Sequence, residues 1–295
     1  MKNTVTLTLL ALIAFAANSV LCRWALADSS IDAYSFTAIR IISGASTLML
    51  LVLLLKPVEF SAAELRRFVS VKSTFALLVY MFGFSYAYID LGAGLGALVL
   101  FAAVQFTMIA SHVIKGHKLN TLEWAGCLIS ISGLVYLLAP GSSQSTMNTL
   151  SIALMLLAGI AWGFYTLFGK GGEQPLVSTA VNFSLAVPFA LVVGLLLSGN
   201  LHVTQDGIIY AILSGSLASG AGYALWYSAL RHISTVTASV SQLSVPVIAT
   251  AGGVILLAEP LTLHFIVSSS IILCGIGCVL LAPKLNSNNR NNDTK

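Results

Sequence analysis

From Val5 onward the chain runs in apolar stretches separated by short polar breaks, and the stretches are apolar throughout rather than alternating with period two. Ten can be marked: Val5 to Leu26, Ala33 to Leu55, Ser73 to Ile89, Leu95 to Ile114, Leu122 to Ala139, Leu150 to Phe168, Leu176 to Leu197, Gly207 to Leu230, Thr235 to Leu257 and Phe265 to Ala282. Strands of a membrane barrel would alternate inward and outward. Continuous runs of about 20 apolar residues predict helices that cross a bilayer. The connections are short and predict no extramembrane domain. The longest, from Lys56 to Lys72, holds Pro57 and Glu64-Leu65-Arg66-Arg67 and reads as a surface helix. Residues 284–295 are polar and low in complexity and read as a disordered tail.

The polar positions inside these stretches are few, which makes each one informative. The uncharged run Ile233 to Ala258 carries Gln242 and Pro246 near its middle and is closed by Glu259-Pro260-Leu261-Thr262. In lipid, an amide and a proline at mid-depth face other protein or a water-lined cavity. Pro246 removes a backbone donor and frees the carbonyl one turn earlier, so a helix kink near Gln242 is expected. Gln105, Asn18 and Asn182 lie at similar depth in the fourth, first and seventh stretches, so the four amides could line one polar chamber or simply bond between helices. Arg40 lies about 10 Å inside the second stretch at 1.5 Å per residue. A guanidinium there must snorkel, pair with an acid such as Asp32 or Asp90, or meet a substrate carboxylate. Arg23, nearer its helix end, reads as an interfacial anchor. Trp162 and Tyr165 share one face of the sixth helix and could flank a substrate, while Phe15, Tyr80, Phe84, Tyr86, Phe101, Tyr223 and Trp226 read mainly as packing. Gly159 and Gly163, spaced GxxxG, and Ser216, Gly220 and Gly222 are seams for close helix approach.

Composition agrees with the pattern. The 295 residues are 57% hydrophobic and 8% charged, against about 25% charged for a soluble protein. A net charge of +4 does not imply nucleic acid, because the basic residues are scattered between apolar runs. With the amino terminus in the cytoplasm, twelve of the fourteen Lys and Arg fall on the cytoplasmic side, so both termini are expected inside. The leading stretch continues past the length of a signal-peptide core and is followed by further spans, so it is expected to be retained. Cys22, Cys127, Cys274 and Cys278 all sit in apolar runs and lack the company of a zinc site. His112 and His117 read as interface residues without carboxylate partners. No Asp or Glu lies at mid-depth and no phosphate loop exists, so neither a buried carboxylate relay nor ATP hydrolysis is expected. No cofactor is implied.

The chain also repeats itself. Ala11 to Arg23 matches Ala158 to Lys170 in apolar pattern, and Tyr86-Ala87 through Ala139-Pro140 lines up with Ser228-Ala229 through Ala282-Pro283. Each half holds five spans. An odd number reverses the second half in the membrane, which is the inverted repeat that permits alternating access around a shared site near the midplane.

In the second half, Ala221-Gly222-Tyr223-Ala224-Leu225-Trp226-Tyr227-Ser228-Ala229-Leu230, then Thr237-Ala238-Ser239, Pro246 and Leu257-Ala258-Glu259-Pro260-Leu261-Thr262, resembles the EamA domain of the drug/metabolite transporter superfamily. The resemblance implies an all-α polytopic membrane protein, with EamA-like five-helix repeats at residues 1–140 and 148–283. It also implies a carrier of small metabolites, often an amino-acid or drug exporter, in the bacterial inner membrane. The first half departs from this pattern, with Val104 where the second has Pro246 and His117 where it has Glu259. The expectation is therefore a ten-helix secondary carrier, not an enzyme, acting as monomer or homodimer without an ATPase subunit. Its substrate site would draw on Arg40, Gln242, Gln105, Asn18, Trp162, Tyr165 and Asn182, with Pro246 and Glu259 in gating. A multidrug exporter of cationic compounds is the nearest alternative, mildly disfavoured by the arginine. A membrane-embedded non-transport protein is the more distant one.

Overall fold

A bilayer interior offers no water to the backbone, so the peptide groups must be satisfied within each segment. The computed structural model describes residues 2–55, 66–114, 116, 119, 121–138, 148–169, 174–196, 201–230, 232, 241–242 and 244–292. Its helices are α1 (Lys2–Ala27), α2 (Ala33–Leu55), α3 (Val71–Ala87), α4 (Ala93–Ile114), α5 (Thr121–Leu138), α6 (Thr149–Gly169) and α7 (Pro175–Leu196). Then come α8 (Gln205–Leu213), a π-helical segment (Ser214–Ala221), α9 (Gly222–Leu230), α10 (Ser244–Leu257) and α11 (Leu263–Asn292). Six helices among the described residues are long and apolar enough to cross a membrane, the run Gln205–Ala229 being one of them. Val71–Ala87, Thr121–Leu137, Ser244–Leu257 and Leu263–Val279 are shorter apolar helices.

One expectation differs from the structure. The stretch expected as a disordered tail continues α11 as far as Asn292, because extending an existing helix costs far less than nucleating one. Pro246 lies in α10, and Ser241 and Gln242 before it are helical as well; residue 243, on which the expected kink near Gln242 bears, lies outside the described residues. His117, the loop from Lys56 to Leu65 and residues 233–240 lie outside the described residues, whereas Arg66 and Arg67 are helical.

Packing joins the two halves throughout. α2 lies on α7 and the π-helical segment, α3 on α6, α4 on α6 and α10, α1 on α9 and α10, and α5 on α11. α4 is the innermost span, with 72% of its apolar window buried against 39–44% for the other five long ones. The outer faces carry exposed Leu54, Phe75, Ile114, Leu128 and Ile255, a surface suited to lipid rather than water. The expected GxxxG seam is the α6–α4 crossing. A Cβ at Gly159 would lie 2.5 Å from the Leu100 carbonyl oxygen, and one at Gly163 would lie 2.8 Å from Thr107.

Hydroxyls inside the spans mostly return to their own helix. Thr37, Ser43, Ser85, Thr107 and Thr166 donate to the carbonyl four residues earlier, which satisfies them without a partner helix. The hydroxyls that instead reach across mark the places where the bundle has specific chemistry.

Candidate functional site

The first such place is centred on Arg40. Its side chain is wholly buried, 0% exposed, in α2, and among the described residues it meets no acid. Nη2 donates to the Tyr80 hydroxyl of α3 at 3.0 Å, and Nε donates to Ser219 Oγ of the π-helical segment at 3.4 Å. The guanidinium carbon stands 4.7 Å from the Phe84 ring centroid and 5.4 Å from that of Tyr80. Each cation–π contact contributes up to about 2 kcal/mol when desolvated. Nη1 has no hydrogen-bond partner among the described residues. The acids considered as partners are engaged elsewhere. Asp32 accepts from the backbone N–H groups of Ser35 and His202, and Asp90 accepts from Asn148 and Ser151.

The network extends to Asn18 of α1. Asn18 Nδ2 donates to the Tyr80 hydroxyl at 3.4 Å, and its Oδ1 accepts from Ser214 Oγ at 2.6 Å. Ser214 and Ser219 belong to one π-helical segment. In an α-helix two residues five apart point about 140° from each other at 3.6 residues per turn. The i→i+5 bonding of a π-helix stacks them on one side, so one face serves both Asn18 and Arg40. Gly215 permits the approach: a Cβ there would run into Ser43 Oγ and the Arg40 carbonyl and lie 2.9 Å from Arg40 Cα.

In front of this network lies a small, mostly enclosed cavity of ≈ 20 Å³, lined by Phe15, Asn18, Tyr80, Leu100, Phe101, Trp162, Ala218, Ser219 and Tyr223. That volume holds about one water, so the chamber is closed. Its walls are aromatic. Trp162 stacks on Tyr223 at 5.1 Å and on Tyr165 at 5.4 Å, and meets Tyr80 at 4.9 Å.

Of the residues expected at the site, Asn18 and Trp162 line the cavity. Arg40 stands directly behind Tyr80 and Ser219 rather than in the wall. Tyr165 stacks against Trp162. Asn182 is buried and accepts from Thr74 at 3.4 Å, joining α7 to α3. Gln105 and Gln242 are buried without lining the cavity, and Gln105 Nε2 has no partner among the described residues. The four amides therefore do not share one chamber in this state, because Asn182 is spent on Thr74 and only Asn18 reaches the wall. Pro246 lines a separate apolar hollow of ≈ 460 Å³ between α10 and α11, with Thr250, Phe265 and Leu273. Tyr80, on the α3 face that also bears Phe84, read as packing in the sequence, and Ser219 was not singled out.

The second place is the end of the bundle beyond Arg23. Ser70, Thr204 and Thr262 accept from the N–H three residues on, at α3, α8 and α11 respectively. α4 begins Gly92-Ala93 with no such side chain, and Glu259 supplies the cap from the far end of α10. Its Oε1 and Oε2 accept from the Ala93 N–H at 3.0 and 2.9 Å. Ala258, at φ +51°, turns the chain out of α10, and the Glu259 N–H then donates to the Gly253 carbonyl at 3.1 Å. Arg23 meets Glu259 at 3.4 Å, while its Nη1 donates to the Tyr88 and Ile89 carbonyls at 3.1 and 2.6 Å. Arg23 is thus more than an interfacial anchor: it ties the end of α3 to Glu259, just past the end of α10.

Among the described residues no cluster of His, Cys, Asp and Glu could hold a metal.

The comparisons agree with the fold. Residues 2–139 and 149–281 each match the EamA-like transporter family. An uncharacterized protein of Pseudomonas aeruginosa is 45% identical over 290 residues, 96% of each chain. A "Probable amino-acid metabolite efflux pump" of Salmonella typhimurium is 29% identical over 210 residues, 66% of this chain and 70% of that one. A crystal structure superposes with a TM-score of 0.62 at 17% identity, covering 92% of this chain and 98% of that one, a likeness of fold.

Proposed function

Because the chain belongs to the EamA-like transporter family, we propose that it is a secondary transporter that exports amino acids or similar small metabolites across the bacterial inner membrane by alternating access. One observation carries this reading: a wholly buried guanidinium with no carboxylate within ion-pair distance among the described residues, placed behind a closed aromatic chamber. A cation in lipid is retained against a cost of several kcal/mol, and an anionic substrate group offsets that cost. Arg40 therefore selects a carboxylate, and Trp162, Tyr223, Phe15 and Phe101 receive the body of the substrate, with Asn18 at the polar edge. Gln105, Gln242, Asn182 and Tyr165 act in the opened chamber, where their buried amide and hydroxyl groups gain water or substrate as partners.

The repeat pattern and the packing support two five-helix halves of opposite orientation. The contacts α2 on α7, α4 on α10 and α5 on α11 join counterparts, and α3 on α6 has its counterpart in α1 on α9. Rocking one half against the other would open the chamber to each side in turn. The charge distribution supports both termini in the cytoplasm and, with them, the Arg23–Glu259 pair on the outer side, where it acts as the external gate.

Uptake into everted vesicles, screened over labelled amino acids and related metabolites, identifies the substrate, and Arg40→Ala and Gln242→Ala are then compared with the parent. Arg40→Ala is expected to lower transport at least tenfold, the loss of one charge-assisted bond. Unchanged transport in both variants would remove these residues from the site.

A further inference from the structure

We infer that the chamber's polar subsite is not Arg40 itself but a pair of hydroxyl donors, those of Tyr80 and Ser219, which carry the guanidinium's charge into the cavity and receive a ligand carboxylate. The inference deepens the reading of the chamber given above and rests on it.

The donor count carries it. A hydroxyl has one proton and two lone pairs. The Tyr80 oxygen accepts from Arg40 Nη2 at 3.0 Å and from Asn18 Nδ2 at 3.4 Å. Both lone pairs are therefore engaged, and the proton is left to donate. Ser219 Oγ accepts from Arg40 Nε, and, unlike Ser216 and Ser228, it does not spend its proton on a carbonyl of its own helix. Among the described residues neither proton meets an acceptor, and both residues line the cavity. Asn18 cannot reverse the pattern, because its Oδ1 already accepts from Ser214. The wall thus presents donors, each strengthened by accepting from a cation. Its complement is a group with acceptors only, an ionised carboxylate, whose two oxygens match two donors. Arg40 is a positioning residue in this arrangement. Its remaining Nη1, buried and without a partner, keeps the site positive when empty.

Binding of L-phenylalanine and L-phenylalaninamide to the purified full-length protein, measured by calorimetry, tests this. The two share a body suited to the aromatic walls and differ in the carboxylate. The parent should prefer the acid by about tenfold or more, as expected for charge-assisted bonds. Tyr80→Phe keeps the ring beside Trp162 and Arg40, and should collapse the preference to within about twofold while leaving amide affinity in place. Ser219→Ala should reduce the preference partway, and serves alone if Tyr80→Phe does not fold. A preference retained in these variants but lost in Arg40→Gln means the guanidinium meets the carboxylate directly, and overturns the inference alone. Equal binding of acid and amide by the parent also overturns it. Binding of neither probe by the parent overturns the reading of the chamber on which it rests.

Discussion

Glu259 and Ala93, 166 positions apart in the chain, form a helix cap: both carboxylate oxygens receive the Ala93 N–H that opens α4. The start of a helix is a site of partial positive charge with unpaired donors, and α4 is the most enclosed of the long spans. Its cap is delivered by the opposite half of the molecule and is held in turn by Arg23. Gly92 and Gly253 make the space: a Cβ at Gly92 would lie 3.1 Å from the carboxylate, and one at Gly253 would collide with it.

Glu259→Ala should release this end. The lost cap and charge cost about 2 kcal/mol, seen as a lower melting temperature. Cys22, fully buried beside Arg23, reports the opening. With Cys127, Cys274 and Cys278 changed to Ser, maleimide should label Cys22 several-fold faster in Glu259→Ala than in its parent. Equal labelling rates would take Glu259 out of the gate.

Gly215→Ala should separate α2 from the π-helical segment, because the added methyl meets Ser43 and the Arg40 backbone. The expected cost is about 1–3 kcal/mol, as for overpacking, with transport falling more than stability does because Ser219 is drawn from Arg40. Gly277→Ala is the contrast, since nothing stands within 4 Å of its added Cβ, and thermal unfolding of that variant should match or exceed the parent.

Asp32→Ala should detach two connections at once. Asp32 accepts from Ser35 at the start of α2, and it also accepts from the His202 N–H before α8. Loss of the cap alone costs about 0.5–2 kcal/mol. Hydrogen exchange should rise at both Ser35 and His202. A rise confined to Ser35 would show that the strand-like pair Ile31–Val203 holds this segment without the carboxylate.

The helices were legible because apolar length reports each residue's transfer from water to lipid, a property that does not depend on its neighbours. Arg40 stood out for the same reason, as the cation deepest in a span. Its partners could not be read. Tyr80 and Phe84 look like any aromatic pair one turn apart, and Ser214 and Ser219 look like small packing residues until a π-helical register turns both toward α1 and α2. Gln242, Gln105 and Asn182 share a depth with Asn18, yet only Asn18 lines the small cavity in this state, because depth along a helix does not record which side a residue faces. The Leu257-Ala258-Glu259-Pro260-Leu261-Thr262 motif was visible, yet its division of labour was not: Ala258 turns the chain, Glu259 caps α4 and Thr262 caps α11.

What the sequence by itself determined is the set of membrane helices, the two repeated halves and the family, since these follow from hydropathy and local order along the chain. What only the tertiary structure decided is where the polar groups meet. The solvation of a buried arginine, a capping glutamate or an aromatic wall depends on helix crossings between residues far apart in sequence, and no one-dimensional pattern records which sides of those helices come into contact.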